Sequence, residues 1–340
     1  MAPLSIALSI DELSPLDSWR RVRILTRAVQ LRSQRRDETS VSCISPNRRH
    51  DRQRFYKYAT ARTAKVIISG RSLRWSSPLL FNDPFDVPRD MSLPFNTGEL
   101  QAAIHGEILG VMEGKTQTNH PVLRFLTNAL KLETDETRRS LILEELRKAL
   151  EDMTPTTTGS LDEFHRVWKE MVPTLRILCL AEVNDSAAMW AYYTEKHHGV
   201  VLEFRVIDEL DSSSLIAQPV IYTDRPPSLP GKEVWARALV AHEEIPWTEY
   251  FREYHYVKTM EWRHEREWRV VTYAKPGDDA LFTEERFHPQ ELSAVYLGAS
   301  ISPANEAAIV ARLVDDLAHV ELFHSRFDHQ RRQLSFVRSR

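Results

Sequence analysis

Cysteine is nearly absent from the chain: Cys43 and Cys179 are its two, and they lie far apart. No zinc or redox spacing can be drawn from them, and a disulfide framework is excluded, which suits a reducing cytoplasm. Glycine is scarce too, with ten in 340 residues and none in a GxGxxG or P-loop arrangement. That argues against Rossmann and P-loop enzymes, whose phosphate loops need it. His197 and His198 are adjacent, while His242, His255 and His264 fit no ligand spacing, so no metal centre is expected. A serine or cysteine triad stays open, although no nucleophile elbow is present. No apolar run reaches the roughly 20 residues that span a membrane. The opening MAPLSIALSIDELSP lacks a basic start and acquires acids at once, unlike a signal peptide. Charge of one sign is lacking as well: the net is −3, which favours no polyanionic partner by itself. A cytoplasmic protein with no membrane partner is expected.

What is present begins with a basic arm. Residues 1–54 hold eleven arginines against six acids, a net of +5. Leu16 to Leu31 reads as a short amphipathic helix, and the polar stretch after it as a linker. Such an arm can touch nucleic acid; more commonly it is a solubilising tail. The domain proper is expected over 55–328, followed by a basic tail at 329–340. FYKYAT and SLRWSS read as strands, and the TARTAKVIISG between them as a helix closed by Gly70. PLLFNDPFDVP is turn chemistry that brings Asn82, Asp83 and Asp86 together. From about 96 to 173 the pattern is helical, an insertion in which TPTTTGS is a loop and Ser160 with Glu163 forms a capping box. LRILCLAE returns to strand. A helix capped at Asp185 or Ser186 carries Tyr192 and Tyr193 and closes at Gly199. Strands and helices are then interspersed without a βαβ repeat, so an α+β fold with mostly antiparallel pairing is expected.

The densest chemistry lies in KTMEWRHEREWRVVTY, Lys258 to Tyr273. If pairing starts by His264, the two-residue period puts Glu265, Glu267 and Arg269 on one face. Two carboxylates side by side repel, so one should titrate high or have a cationic neighbour. Active sites use that arrangement, and so do plain salt-bridge networks.

FYKYAT, SLRWSSPLLFNDPFD, NDSAAMWAYYTEKHHGVVLEF and WRHEREWRVV, in this order, resemble a large prokaryotic family, domain of unknown function 2971. Block order also resembles the ADP-ribosyltransferase fold, in the branch with a His-Tyr-Glu triad. That resemblance implies a split antiparallel sheet with a helical insertion, NAD as substrate and a macromolecular acceptor, protein or nucleic acid. Proteins of that kind are often toxins or antiphage effectors. Lys57-Tyr58-Ala59-Thr60 would fall on the nicotinamide-ribose motif, with Tyr58 where the family has histidine. Gly70 to Asp86 would be the loop segment, with Arg74 and Asn82 near the adenylate or pyrophosphate and Ser76 also binding NAD. Ser186 would open the helix whose Tyr192 or Tyr193 stacks on nicotinamide. Glu267 would be the catalytic carboxylate, and Glu265, as in the arginine-modifying branch, would orient the acceptor. Two rivals remain at this point. One is a nucleic-acid-binding or nuclease module with a divalent ion on Asp83, Glu265 and Glu267. The other is a noncatalytic binding scaffold.

Overall fold

The computed structural model describes residues 45–88, 93–119, 121–152, 154–241 and 243–339. The helix expected over 16–31, most of the basic arm and Cys43 lie outside them. In chain order the first elements are β1 (Arg54–Ala59), α1 (Ala61–Gly70) and β2 (Ser72–Ser76). Four helices follow: α2 (Thr97–Met112), α3 (Pro121–Leu132), α4 (Glu136–Asp152) and α5 (Thr154–Met171). Next come β3 (Leu175–Ala181), α6 (Ala187–Tyr193), β4 (Val200–Arg205), β5 (Gln218–Pro219) and β6 (Ile221–Tyr222). After α7 (Lys232–Val240), α8 (Trp247–Tyr256) and β7 (Val257–Lys258), the chain runs into β8 (Glu267–Tyr273). It ends with β9 (Phe282–Arg286), β10 (Leu292–Leu297), α9 (Pro303–Val310), β11 (Glu321–Asp328) and β12 (Gln333–Arg338).

These elements form two compact units. One is helical and draws on Arg89–Met171 and Pro227–Glu253. Its first helix starts at a capping box, Asn96 with Glu99, in which each side chain accepts from the other's backbone N–H. Inside this unit Phe164, Trp235 and Trp247 pack ring to ring.

The other unit holds a ten-stranded sheet in the order β12-β11-β10-β4-β1-β3-β2-β9, with β8 on β3 and β5 on β8. Every pairing in it is antiparallel except β10 with β11. β4 is central, and five of its six residues are buried, as suits an apolar run covered on both faces. On one face Ala64 and Ile68 of α1 meet Ile309 of α9 over Phe55, Leu202 and Leu297. On the other, Met189 and Trp190 of α6 pack on Tyr58, Val201 and Tyr296. The mixed α/β architecture with a mostly antiparallel sheet is as expected.

The sheet divides along β3. One edge of β3 pairs with β8 over its whole length, from Leu175 opposite Tyr273 to Ala181 opposite Glu267. Along the other edge β1 is registered at Ala181 and β2 at Ile177. Antiparallel alternation sends the backbone groups of 177, 179 and 181 to that edge. Cys179 therefore faces a gap where β1 and β2 diverge.

Several local expectations are corrected. α5 runs straight through TPTTTGS and Ser160, so neither the loop nor the Ser160–Glu163 box forms. α1 stops at Arg71, whose φ of 48° supplies the left-handed turn assigned to Gly70. α6 is capped by Ser186 but ends at Tyr193, six residues before Gly199. Gly199 is needed for contact instead: a Cβ there would stand 2.2 Å from the Ala59 carbonyl oxygen. β8 begins at Glu267, and Glu265 closes a 3-10 helix over Met260–Glu265. Glu265 is thus not on the strand, because Arg266 turns the chain with φ 43°.

Candidate functional site

The gap beside β3 opens into a cleft of about 390 Å³. Its walls include Tyr56, Lys57 and Tyr58 of β1, Arg74 and Ser76 of β2, and Ile177 and Cys179 of β3. Three consecutive residues of one strand would be shared between two faces of a continuous sheet. Here β3 pairs with β1 only at Tyr56, opposite Ala181, so past that pair the cleft lies along an unpaired edge of β1. Asn82, Asp86, Tyr193, Lys258, Glu265 and Glu267 complete the part that carries chemistry.

Four of these side chains, Asp86, Lys258, Glu265 and Glu267, form a buried charge network with Arg269 behind them. The Lys258 Nζ donates to Glu265 Oε2 at 2.6 Å and to Glu267 Oε2 at 3.1 Å, and lies 3.4 Å from Asp86 Oδ2. Arg269, with no solvent exposure, donates from Nε to Glu267 Oε1 at 2.8 Å and from Nη2 to Asp86 Oδ2 at 2.6 Å. Its remaining nitrogen, Nη1, donates to the His255 carbonyl. Sequence produces this locally. The 3-10 helix carries the chain from Lys258 around to Glu265, the Arg266 turn returns it, and Glu267 with Arg269 share a strand face. Three carboxylates and two cations leave a single negative charge when all are ionised.

The two glutamates differ. Burial would raise the Glu267 carboxyl, but the Arg269 guanidinium and the Lys258 ammonium overcome it and hold it well below the usual range. Glu267 is a fixed anion. Burial raises Glu265, and the charge of Glu267 adds to that against the pull of Lys258. Glu265 therefore holds a proton more readily than Glu267 does. A carboxyl that titrates high and a cationic neighbour, the two ways a close carboxylate pair can be relieved, both occur here. Tyr193 donates its hydroxyl to Glu265 Oε1 at 2.5 Å, and burial raises the phenol so that it remains a donor. Asn82 lines the same cleft. Burial also raises the Cys179 thiol, so this lining cysteine is held neutral.

The cleft gathers Tyr58, Arg74, Ser76, Asn82, Tyr193, Glu265 and Glu267 from the residues singled out in the sequence. Two others lie outside its lining. Thr60 caps α1, accepting from the Thr63 N–H at 3.1 Å. Tyr192 is 72% exposed and leans on His264. Tyr58 contributes ring surface more than chemistry. Its hydroxyl donates to the Val183 carbonyl, accepts from the Ser186 N–H, and its ring abuts Trp190. Arg74 is tied to Glu284 at 3.3 Å and stacks on Phe282. Asp83 is absent from the lining; its Oδ1 caps the Phe85 N–H. The place between Glu265 and Glu267 that a divalent ion would take is filled by the Lys258 ammonium. Among the described residues no group of three His, Cys, Asp or Glu is disposed to hold a metal.

Sequence reasoning missed Lys57, Asp86 and Lys258 as site residues. Lys258 had a signal, because a lysine seven residues before a Glu-x-Glu is a ready counter-ion once a turn intervenes. The pairing of Asp86 with Arg269 spans 183 positions and has no local trace.

Residues 189–270, from α6 into β8, match the family model described as Protein of unknown function (DUF2971), which supports the expected family. No curated protein and no solved structure matches the chain.

Proposed function

We propose that this DUF2971 chain is an ADP-ribosyltransferase-like enzyme that takes NAD as substrate and modifies a macromolecule. The observation that carries the reading is the meeting of Glu265 and Glu267 around one ammonium in a cleft also lined by Tyr56, Tyr58 and Tyr193. The split along β3 is consistent with the two-part sheet of that fold.

The chemistry follows from the charges. The bond between nicotinamide nitrogen and ribose breaks with its electron pair going to the nitrogen, so nicotinamide leaves neutral and the sugar becomes an oxocarbenium cation. A network with one residual negative charge stabilises that cation most at the moment it forms. Tyrosine faces suit the cationic ring before it leaves. The acceptor's nucleophilic atom then bonds to the sugar carbon and releases its proton to Glu265, the carboxylate whose affinity for a proton is raised. Glu267 acts as an anchored charge and Arg269 as the residue that positions it. The Lys258 ammonium already filling the ion position counts against the metal-dependent nuclease reading.

Incubation with NAD labelled in its adenylate and a cell lysate tests the transfer. Label should appear on macromolecules with the wild-type chain and drop about 10²–10⁴-fold with Glu265→Gln. Equal labelling by both proteins removes Glu265 from the chemistry. Loss of nucleic acid in magnesium without NAD supports the nuclease instead.

A further inference from the structure

Three cations line the cleft, and they are not equivalent. Lys258 is surrounded by Asp86, Glu265 and Glu267. Arg74 is paired with Glu284 and lies over Phe282, its Cζ 4.0 Å from the ring centre. Lys57 has no carboxylate within ion-pair reach among the described residues. Its Nζ crosses the gap in the sheet and donates to the Cys179 carbonyl oxygen at 2.8 Å. That carbonyl would be paired to a neighbouring strand if β1 stayed in register beyond Ala181, so the ammonium stands in for a missing ladder bond. An ammonium has three donors, and this contact uses one. The side chain is half-buried, which weakens solvent screening of its charge.

A half-buried cation that faces a cleft, lacks a counter-charge and has two spare donors is an anion site. We infer that Lys57 is the phosphate-holding residue of this cleft and that it takes the diphosphate of a nucleotide ligand. This moves the phosphate contact from Arg74, whose charge is already met, to Lys57 on β1. In naming a nucleotide it rests on the NAD reading above; the anion site itself does not. A diphosphate would accept two charge-assisted hydrogen bonds from Nζ while the Cys179 carbonyl keeps the third.

Calorimetric titration and thermal melts of the full chain test this with three probes: inorganic pyrophosphate, ADP and adenosine. Wild type should bind ADP and pyrophosphate, and Lys57→Met should bind both about 10- to 100-fold more weakly. Adenosine, which has no phosphate, should bind the two proteins alike. Lys57→Arg keeps the charge and should retain most of the ADP affinity, which separates a lost charge from a disturbed fold. Undiminished ADP binding by Lys57→Met, or no binding of either phosphate probe by wild type, overturns the inference. Nicotinamide release from NAD is read alongside. Lys57-dependent ADP binding without release leaves the anion site standing and removes the transferase reading. Release with an unchanged KM in Lys57→Met does the reverse.

Discussion

At the scale of single residues, Glu265 and Glu267 differ by what surrounds each oxygen. Both Glu267 oxygens are engaged by buried cations, Arg269 Nε on one and Lys258 with Arg269 Nη2 on the other. Neutralising it strands part of two positive charges in the interior. Glu267→Gln should therefore cost about 3–5 kcal/mol in denaturant melts. Glu265→Gln keeps an acceptor for Tyr193 and should cost far less stability while abolishing activity. A stability loss at Glu265 equal to that at Glu267 would put both in the same structural role.

Activity should also carry the mark of Glu265 in its pH dependence. Since its carboxyl is raised, the acid limb of the rate profile should rise with a midpoint above 4.5, the ordinary glutamate value. A midpoint at or below 4.5 would assign the step to another group.

His255 makes a separate prediction about stability. Burial first, and then the Arg269 charge, lower it from 6.5 to about 4. Between those values the unfolded chain binds the proton and the folded chain does not, so stability rises with pH. Its contribution is complete above pH 6.5 and lost by about pH 4, up to roughly 3 kcal/mol. Urea melts at pH 4, 5.5 and 7 on wild type and His255→Asn check this: the slope should be shallower in the variant.

At the scale of elements, close backbone approach fixes how the segment after α6 enters β4. A Cβ on Gly199 would meet the Ala59 carbonyl oxygen at 2.2 Å, and one on Gly298 the His197 carbonyl oxygen at 2.1 Å. Both obstacles are backbone and cannot rotate away. Gly199→Ala and Gly298→Ala should each destabilise by roughly 1–3 kcal/mol or more, read from thermal melts. Neutral behaviour would mean that the β1–β4–β10 region yields more easily than its register implies.

Elements with a strong local signal were legible in the sequence. FYKYA is a strand of aromatics, SLRWS alternates Leu73 and Trp75 with polar residues, LRILCLA is a largely apolar run, and Ser186 opens its helix through its hydroxyl. What failed was decided by context. TPTTTGS has poor helix propensity, yet it lies within the eighteen-residue α5. Arg266 in a left-handed turn has no propensity signal at all, and it decides where β8 starts. The glutamate pair was found for a partly wrong reason: the two side chains meet across that turn and not along a strand.

At the scale of the whole molecule, the sheet unit assembles its site from segments far apart in the chain. The family match at 189–270 contains Tyr193, Lys258, Glu265, Glu267 and Arg269. The β1 wall, the β2 wall and the Asn82–Asp86 loop come from outside it. That is why the carboxylates and the cations beside them fall in one block, while Asp86, which meets both cations, could not be read from it. Among the described residues no helix is long and apolar enough to cross a membrane.

The most direct measurement is the release of free nicotinamide when the purified chain is incubated with NAD, quantified by mass spectrometry for wild type, Tyr193→Phe and Glu265→Gln. The account predicts release by wild type, less by Tyr193→Phe, and a loss of about 10²–10⁴-fold in a folded Glu265→Gln. Release that is undiminished in Glu265→Gln, or a wild-type protein that leaves NAD intact while ADP binds its cleft, would contradict it.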